Sequence, residues 1–353
     1  MQDCKMVKPI LIALDAMGGD IGPEAIVSGA AMVLARRPEI RFAMFGNEKT
    51  IEDLVNVNPE LAAATDIHHA EISVRMDEKP SQAIRSSRGQ SSMWKAIESI
   101  KSLGTSAVVS AGNTGALMSM AVLCLRTMSG INRPAIAATW PTIVGKSLVL
   151  DVGANVTANA QQLASFAVMG ASVASSTFGV SCPRVALLNM GTEEAKGDED
   201  VRNANLLLHE YQLPFMEYIG FVEANDIGAG AAHVVVTSGF AGNVAIKTAE
   251  GTVKQISHYI RDAFSRNWFS KITGFVAKRT IGDFLSNKLN PAKLNGGLLL
   301  GLNGIVVKSH GGADAAGTAA AIELACDMVN NTFLSQTAKR LQTYKMISDS
   351  SAL

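Results

Sequence analysis

The sequence predicts an α/β protein of three layers, α/β/α, built on a mostly parallel sheet. Three observations carry this. Short apolar, β-branched runs recur along the chain, and each ends at a glycine or a small polar residue. Helical patterns lie between most of them. The runs are apolar throughout instead of alternating, as strands are when both faces of their sheet are covered. Ligands of such sheets bind outside the carboxyl ends of the strands, so those ends are where chemistry is expected.

The elements follow in order. "ILIAL" (10–14) stops at Asp15 and a glycine pair, and Gly22-Pro23 then opens a helix over 23–37 that Pro38 closes. Strands come next at "IRFAMFG" (40–46) and "SAVVSAG" (106–112), with a helix over 92–103 between them. "SLVLDVGAN" (147–155) precedes an Ala/Ser/Gly-rich helix around 159–176, suited to packing closely on a sheet or across a dimer interface. "RVALLNMG" (184–191), "HVVVTSG" (233–239) and "GIVVKSHG" (304–311) complete the series. No Pro/Ser-rich linker and no repeat of roughly 20–50 residues divides the chain. Residues 7–340 read as a single unit with room for two lobes, and 341–353 as a C-terminal tail.

Composition excludes several classes. With 353 residues, 48% hydrophobic and 18% charged, the chain has enough apolar surface for a large core. A net charge of zero argues against a general nucleic-acid binder. Cys4, Cys124, Cys182 and Cys326 are scattered without a C-x-x-C pair, which fits a reduced, cytoplasmic protein. The opening "MQDCKMVKPI" lacks the apolar core of a signal peptide. Two uncharged runs, 102–125 and 152–183, carry "SAGNTG" and Asn155, Asn159, Gln161 and Gln162 in their interiors, so they read as buried core and not as membrane spans.

Six polar, glycine-rich words fall just past strand ends: "DAMGGD", "SAGNTGA", "DVGAN", "NMGTEEAKG", "SGFAGN" and "SHGG". Six such loops predict a single cleft lined by backbone amides and small polar side chains. Other chemistries lack their motifs. "GAGAAH" (228–233) misses the third glycine of a dinucleotide fingerprint and runs straight into a strand, and there is no Walker lysine loop, H-E-x-x-H or G-x-S-x-G. His68 and His69 are adjacent and point in different directions, so no metal is expected. Ser110, Gly112, Asn113 and Thr114 open a helix whose first amides suit an anion or an oxyanion. Lys196, with Gly191 and Glu193, reads equally as an ion-pair network or a solvated loop. Lys79 precedes Pro80, with Arg85 one to two helical turns on, and His310 and Gly311 follow a buried strand. Gly18 and Gly19 make an anion cradle, yet Asp15 and Asp20 flank them, and a carboxylate repels a bound anion.

"DAMGGDIGP", "KPSQAIR", "SAGNTGAL", "RPA", "LDVGAN", "LNMGTEEAKG", "GFAGNVAIKTAEG" and "KSHGGADA", in this order over about residues 10–325, resemble the phosphate acyltransferase family of bacterial phospholipid synthesis, known as PlsX. The resemblance implies transfer of an acyl group from acyl-[acyl carrier protein] to inorganic phosphate. It also implies an isocitrate/isopropylmalate dehydrogenase-like fold, no cofactor and a homodimer. Phosphate is itself a nucleophile near neutral pH, so amides need only hold it and the thioester oxygen as that becomes an oxyanion. On this reading Asp15 and Asp20 orient cations or polarise the phosphate proton, and Lys79, Arg85, Arg133, Lys196 and Lys247 are the cationic candidates. His310 takes the phosphate proton or assists thiolate departure. His310, Lys196, Asp15 and Lys247 form the expected catalytic set, and Asn155 and Asn243 join the substrate-binding one. The chain departs from the family at Ser238, where Asp is usual, at Ala241, where Thr or Ser is, and at His233, where an acid is common. No essential carboxylate is therefore expected in that loop. Two further readings stand beside this one: a phosphotransacetylase-like enzyme using acyl-CoA, and a non-catalytic, membrane-associated scaffold for acyl carrier protein.

Residues 254–293 stand apart, with eight Lys or Arg against two Asp, a net of +6. Phe264, Trp268, Ile272 and Phe275 recur at helical spacing and predict a protruding helical segment. Either the stripe faces the core and the basic side is solvated, or the segment meets anionic lipid, an acidic carrier protein or a membrane acyltransferase. The second reading gives peripheral membrane contact without a span.

Overall fold

The computed structural model describes residues 10–265 and 296–351. Its strands are β1 (Leu11–Asp15), β2 (Arg41–Gly46), β3 (Thr65–His69), β4 (Ala107–Ser110), β5 (Ala135–Thr142), β6 (Gly145–Leu150), β7 (Arg184–Leu188), β8 (Glu217–Val222), β9 (Val234–Val236), β10 (Gly297–Leu300) and β11 (Ile305–Lys308). They join in one sheet in the order β3-β2-β1-β4-β11-β10-β5-β6-β9-β7-β8. Seven pairings are parallel and three antiparallel, so the sheet is mostly parallel, as the apolar runs predict. The antiparallel pairings are consecutive: β11–β10, β10–β5 and β5–β6. Strands β3, β2, β1, β4 and β11 therefore run one way, and β6, β9, β7 and β8 run the other. The carboxyl ends of the two halves face in opposite directions.

The described helices are α1 (Pro23–Leu34), α2 (Glu48–Val55), α3 (Pro59–Ala63), α4 (Pro80–Ser87), α5 (Ser92–Ser102), α6 (Thr114–Leu125), α7 (Ala160–Phe178), α8 (Glu199–Tyr211), α9 (Ala224–Ala229), α10 (Gly239–Ser265), α11 (Ala315–Asn330) and α12 (Phe333–Ser351). They cover both faces. Leu14, Val109 and Val307 point into a cluster with α1, α7 and α11, while their neighbours Ala13, Val108 and Val306 point into a second one under α5 and α6. This period of two is why the strands read as unbroken apolar runs. The small residues of α7 let it lie flat inside the chain, against β6, β7 and β9 and between α8, α11 and α12. Asn159 and Gln162 close a capping box at its start, and Gly179 ends it in the left-handed region at φ +68°. Helix α12 runs across residue 340, with Leu341 buried and Tyr344 and Ile347 packed on the core, so residues 341–351 of the stretch read as a tail are helical. Of the basic segment, 254–265 forms the end of α10 and 266–293 lies outside the described residues. Among the described residues no helix is long and apolar enough to cross a membrane.

Where the sheet reverses, one carboxylate ties the chain together. Asp151 follows β6 and is fully buried. It accepts hydrogen bonds from the N–H groups of Ile136 (3.1 Å), Gly153 (3.1 Å), Ala154 (2.9 Å) and Asn155 (2.8 Å), and from Asn155 Nδ2 (2.9 Å). The first of these belongs to β5 and the others to the turn leaving β6. Replacing Asp151 by Ala strands these buried donors, and each orphan costs about 1–3 kcal/mol. Asp151→Ala is expected to lower unfolding free energy in urea by at least ~3 kcal/mol, and Asp151→Asn, which keeps one acceptor oxygen, by less.

Candidate active site

Three adjacent parallel strands end level. Asp15 of β1 pairs with Ser110 of β4, and Ser110 with Lys308 of β11. Counting back two residues places all three on the face of Ala13, Val108 and Val306, toward α5 and α6. They form one polar rung and are 1%, 0% and 9% exposed. Ser110 Oγ donates to Asp15 Oδ2 at 2.7 Å and accepts the Gly112 N–H at 3.1 Å. Asp15 Oδ1 has no hydrogen-bond partner of good geometry. Burial pushes the Asp15 carboxyl up from its ordinary value, opposed by the Ser110 and Ser92 hydroxyls, the Met17 amide and the Lys308 charge. Lys308 Nζ donates to the carbonyls of Ala111, at 3.1 Å, and Ser309. Burial lowers its ammonium to about 8, against the pull of Asp15 and Asp20.

Beyond the rung, the turns pack backbone to backbone. Gly19 sits at φ +94°, and a Cβ there would lie 2.8 Å from the Gly311 carbonyl oxygen; one at Gly18 would lie 2.7 Å from the Gly112 nitrogen. Only glycine allows both approaches. The Asp20 N–H donates to the Gly311 carbonyl at 2.7 Å. Asn113 caps α6 by accepting the Ala116 N–H at 3.0 Å, while its Nδ2 donates to the carbonyls of Met76 (2.8 Å) and Glu78 (3.0 Å). That strap leads into α4, with Lys79 at its N-cap and Arg85 in its last turn, both exposed. Thr114 begins α6 and is exposed. His310 is exposed, and its Nδ1 accepts the Gly312 N–H at 3.1 Å, which puts the proton of the neutral ring on Nε2. Segments 15–20, 76–85, 110–114 and 309–312 thus make one group.

The remaining expected residues lie at the ends of the other half. Asn155 is buried, and its Nδ2 donates to Asp151 and to the Pro134 carbonyl at 2.8 Å, so it serves the junction of β5 and β6. Asn243 Nδ2, on α10, donates to the Val152 carbonyl at 3.1 Å, and Lys247 lies exposed one turn further. Lys196 and Glu193 form an ion pair at 2.7 Å after β7, both half-exposed, with Gly191 packed against them. Each partner holds the other in its charged form, but water screens a pair so open. Arg133, next in the chain to Pro134, is exposed and borders a cavity of about 260 Å³ lined also by Gln161, Gln162, Tyr344 and Lys345. The expectation of one cleft for all six loops is corrected: one chain presents two loop groups, because its sheet changes direction between them.

Lys308 is the residue that sequence reasoning passed over. Its signal is present, since "ALD", "VVS" and "VVK" are three apolar runs that each end in one polar residue at the same parity before a glycine.

The fold belongs to a class of α/β proteins that includes the phosphotransacetylase of Streptococcus pyogenes, which matches at a TM-score of 0.56 over 95% of both chains with 17% identity. That likeness concerns the fold. The chain itself belongs to the phosphate acyltransferase family: the family model described as "Fatty acid synthesis protein" matches residues 10–336. The phosphate acyltransferase of Sinorhizobium medicae is 53% identical over 344 residues, 98% of this chain and 99% of that one, and that of Beijerinckia indica is 52% identical over 336 residues, 95% and 87%. Family membership makes it an acyltransferase.

Asn113 holds both the α6 cap and the 76–78 strap. Asn113→Ala is expected to cost about 1 kcal/mol for the cap, read by chemical denaturation, and to speed proteolysis within 75–80 relative to the unaltered chain.

Proposed function

We propose that the protein transfers a fatty acyl group from acyl-[acyl carrier protein] to inorganic phosphate, releasing acyl phosphate and the free carrier. Family membership supports the reaction class, and the rung of Asp15, Ser110 and Lys308 beneath the start of α6 is the observation that supports the site. Of the two carboxylates that flank the glycines, Asp15 does not face the anion in this arrangement, while Asp20 is exposed beside Gly311. Asp15 lies under the loop and fixes Ser110, while the unpaired first-turn amides of α6 remain for phosphate or oxyanion. A phosphate oxygen attacks the thioester carbon, the C–O bond forms, and collapse of the oxyanion breaks the C–S bond. The leaving thiolate takes a proton. That proton comes from the monoprotonated phosphate, while His310, with the neutral ring protonated on Nε2, donates a hydrogen bond to the departing sulfur. Lys79 and Arg85 supply exposed positive charge beside the loop. Lys196, Lys247, Arg133 and Asn243 belong to the second loop group, where they meet the carrier end of the substrate or the equivalent group of a second copy.

A homodimer is part of this reading. It is supported by Phe240, Val244, Ile256 and Tyr259, large apolar side chains that α10 leaves exposed. So is reversible contact with an anionic membrane through the basic segment, where each Lys or Arg near the surface contributes about 1 kcal/mol.

The first test mixes the protein with long-chain acyl-[acyl carrier protein] and follows thiol release with and without phosphate. Release is expected only with phosphate, with an equal amount of acyl phosphate; release from acyl-CoA alone would redirect the reading to a coenzyme A substrate, and carrier binding without release would leave a scaffold. His310→Gln is expected to lower kcat about 100-fold, and an unchanged kcat would remove it from the mechanism. On liposomes containing anionic lipid, the double variant Trp268→Ser, Phe269→Ser is expected to float less than the unaltered chain; equal flotation would end the membrane role of that segment.

A further inference from the structure

We propose that Lys308 is a positioning residue for loop 110–114, acting in its ammonium form to hold that loop ready for phosphate. The inference rests on the reading of this loop as the phosphate site and names what controls it. Lys308 ends a strand inserted between β4 and β10, on the same face as Asp15 and Ser110 and 9% exposed. A lysine is rarely buried without a carboxylate partner. Here its Nζ instead donates to two backbone carbonyls, Ala111 at 3.1 Å and Ser309, one from each of the loops that follow β4 and β11.

Those two bonds set the direction of the loop. The Ala111 carbonyl turns inward to Lys308, and the Gly112 N–H turns to Ser110 Oγ at 3.1 Å. With both groups of that peptide engaged, the chain enters α6 with Asn113 as its cap, and the Thr114 and Gly115 amides head the helix. Lysine supplies a positive charge beneath these amides as well as the hydrogen bonds. An ammonium so placed favours a dianion over a neutral ligand.

Its charge is also adjustable. Burial holds the Lys308 ammonium near 8, and the acids that face it, Asp15 on β1 and Asp20 in the turn beyond, work the other way. Below that value the side chain is charged and the loop is held. Above it the ammonium becomes an amine, keeps at most two N–H donors, and loses its attraction for the anion. A bound dianion favours the charged form, so phosphate binding near pH 8 draws a proton onto Lys308.

The test uses the full chain with 13Cε-labelled lysine and inorganic phosphate as the probe. One lysine signal is expected to titrate near pH 8, to vanish in Lys308→Met, and to move upward by about one pH unit when phosphate saturates the protein. In steady-state assays the KM for phosphate is expected to rise above pH 8 while kcat and the KM for the acyl thioester hold. Lys308→Arg, which stays charged, is expected to abolish that rise, and Lys308→Met to raise the phosphate KM about ten- to a hundredfold at pH 7. A lysine signal indifferent to phosphate, or an alkaline rise that persists in Lys308→Arg, would overturn the proposal. Should neither variant fold, the phosphate-dependent shift of the signal near pH 8 in the unaltered chain decides. Absence of turnover with every thioester would count against the proposed reaction, and the titration with phosphate would still judge Lys308.

Discussion

The antiparallel turnabout of β10, β5 and β6 is the constraint on which the rest of the molecule depends. A wholly parallel sheet of eleven strands would line up every carboxyl end along one edge. Here the middle of the sheet reverses, and the strand-end loops divide into two sets that face opposite ways. Each set then needs its own internal bracing. In one, the polar rung of Asp15, Ser110 and Lys308 braces the glycine loops. In the other, Asp151 gathers the donors of β5 and of the turn leaving β6, and Asn243 fastens the start of α10 to that turn. Both braces are buried carboxylates surrounded by hydrogen-bond donors, but they differ in completeness. Asp151 accepts five hydrogen bonds. Asp15 Oδ1 has no hydrogen-bond partner of good geometry, so the second anchor is less fully satisfied than the first.

The placement of Asp15 also removes an apparent contradiction in the chain's first loop. Asp15 and the anion-cradling glycines are close along the sequence but separated in depth. The carboxylate sits one layer below the backbone amides, shielded by the loop it supports. Carboxylate and lysine together bring opposite charges beneath the same turn, so the floor of the site is far less repulsive to an anion than the sequence "DAMGGD" alone implies.

Much of this was legible in the residues. The runs at β1, β2, β4, β6, β7, β9 and β11 are apolar because both faces of each strand are covered, and each is found where the pattern places it. The strands that escaped notice have physical reasons. β3, "TDIHH", is an edge strand with half-exposed residues, β5 opens on "AIAA", whose small side chains carry little β signal, and β10, "GLLL", is embedded among glycines. β8 is interrupted by Gly220 at φ +84°, and it carries one extra residue there, advancing from Tyr218 to Phe221 while β7 advances from Val185 to Leu187. The candidate residues named from the sequence are those close to a glycine. Lys308 was missed because burial of a lysine depends on what three separate strands place around it. The split into two loop groups was missed because strand direction is a property of pairing, which single runs do not encode.

The position of β11 bears on how the chain reaches this state. The strand comes from residues 305–308, yet it lies between β4 and β10 near the centre of the sheet, and α11, which follows it, packs on α1 from the other end of the described chain. During synthesis on the ribosome, β1, β2 and β4 emerge long before the strand that completes their side of the sheet. β4 therefore waits with an open hydrogen-bonding edge, a template for pairing with other chains. The half made of β6, β7, β8 and β9 is drawn from consecutive residues and has no such delay. Folding order is thus written into the topology: the middle of the chain is able to settle first, and the polar rung is assembled last, when Lys308 arrives to take its place beside Ser110.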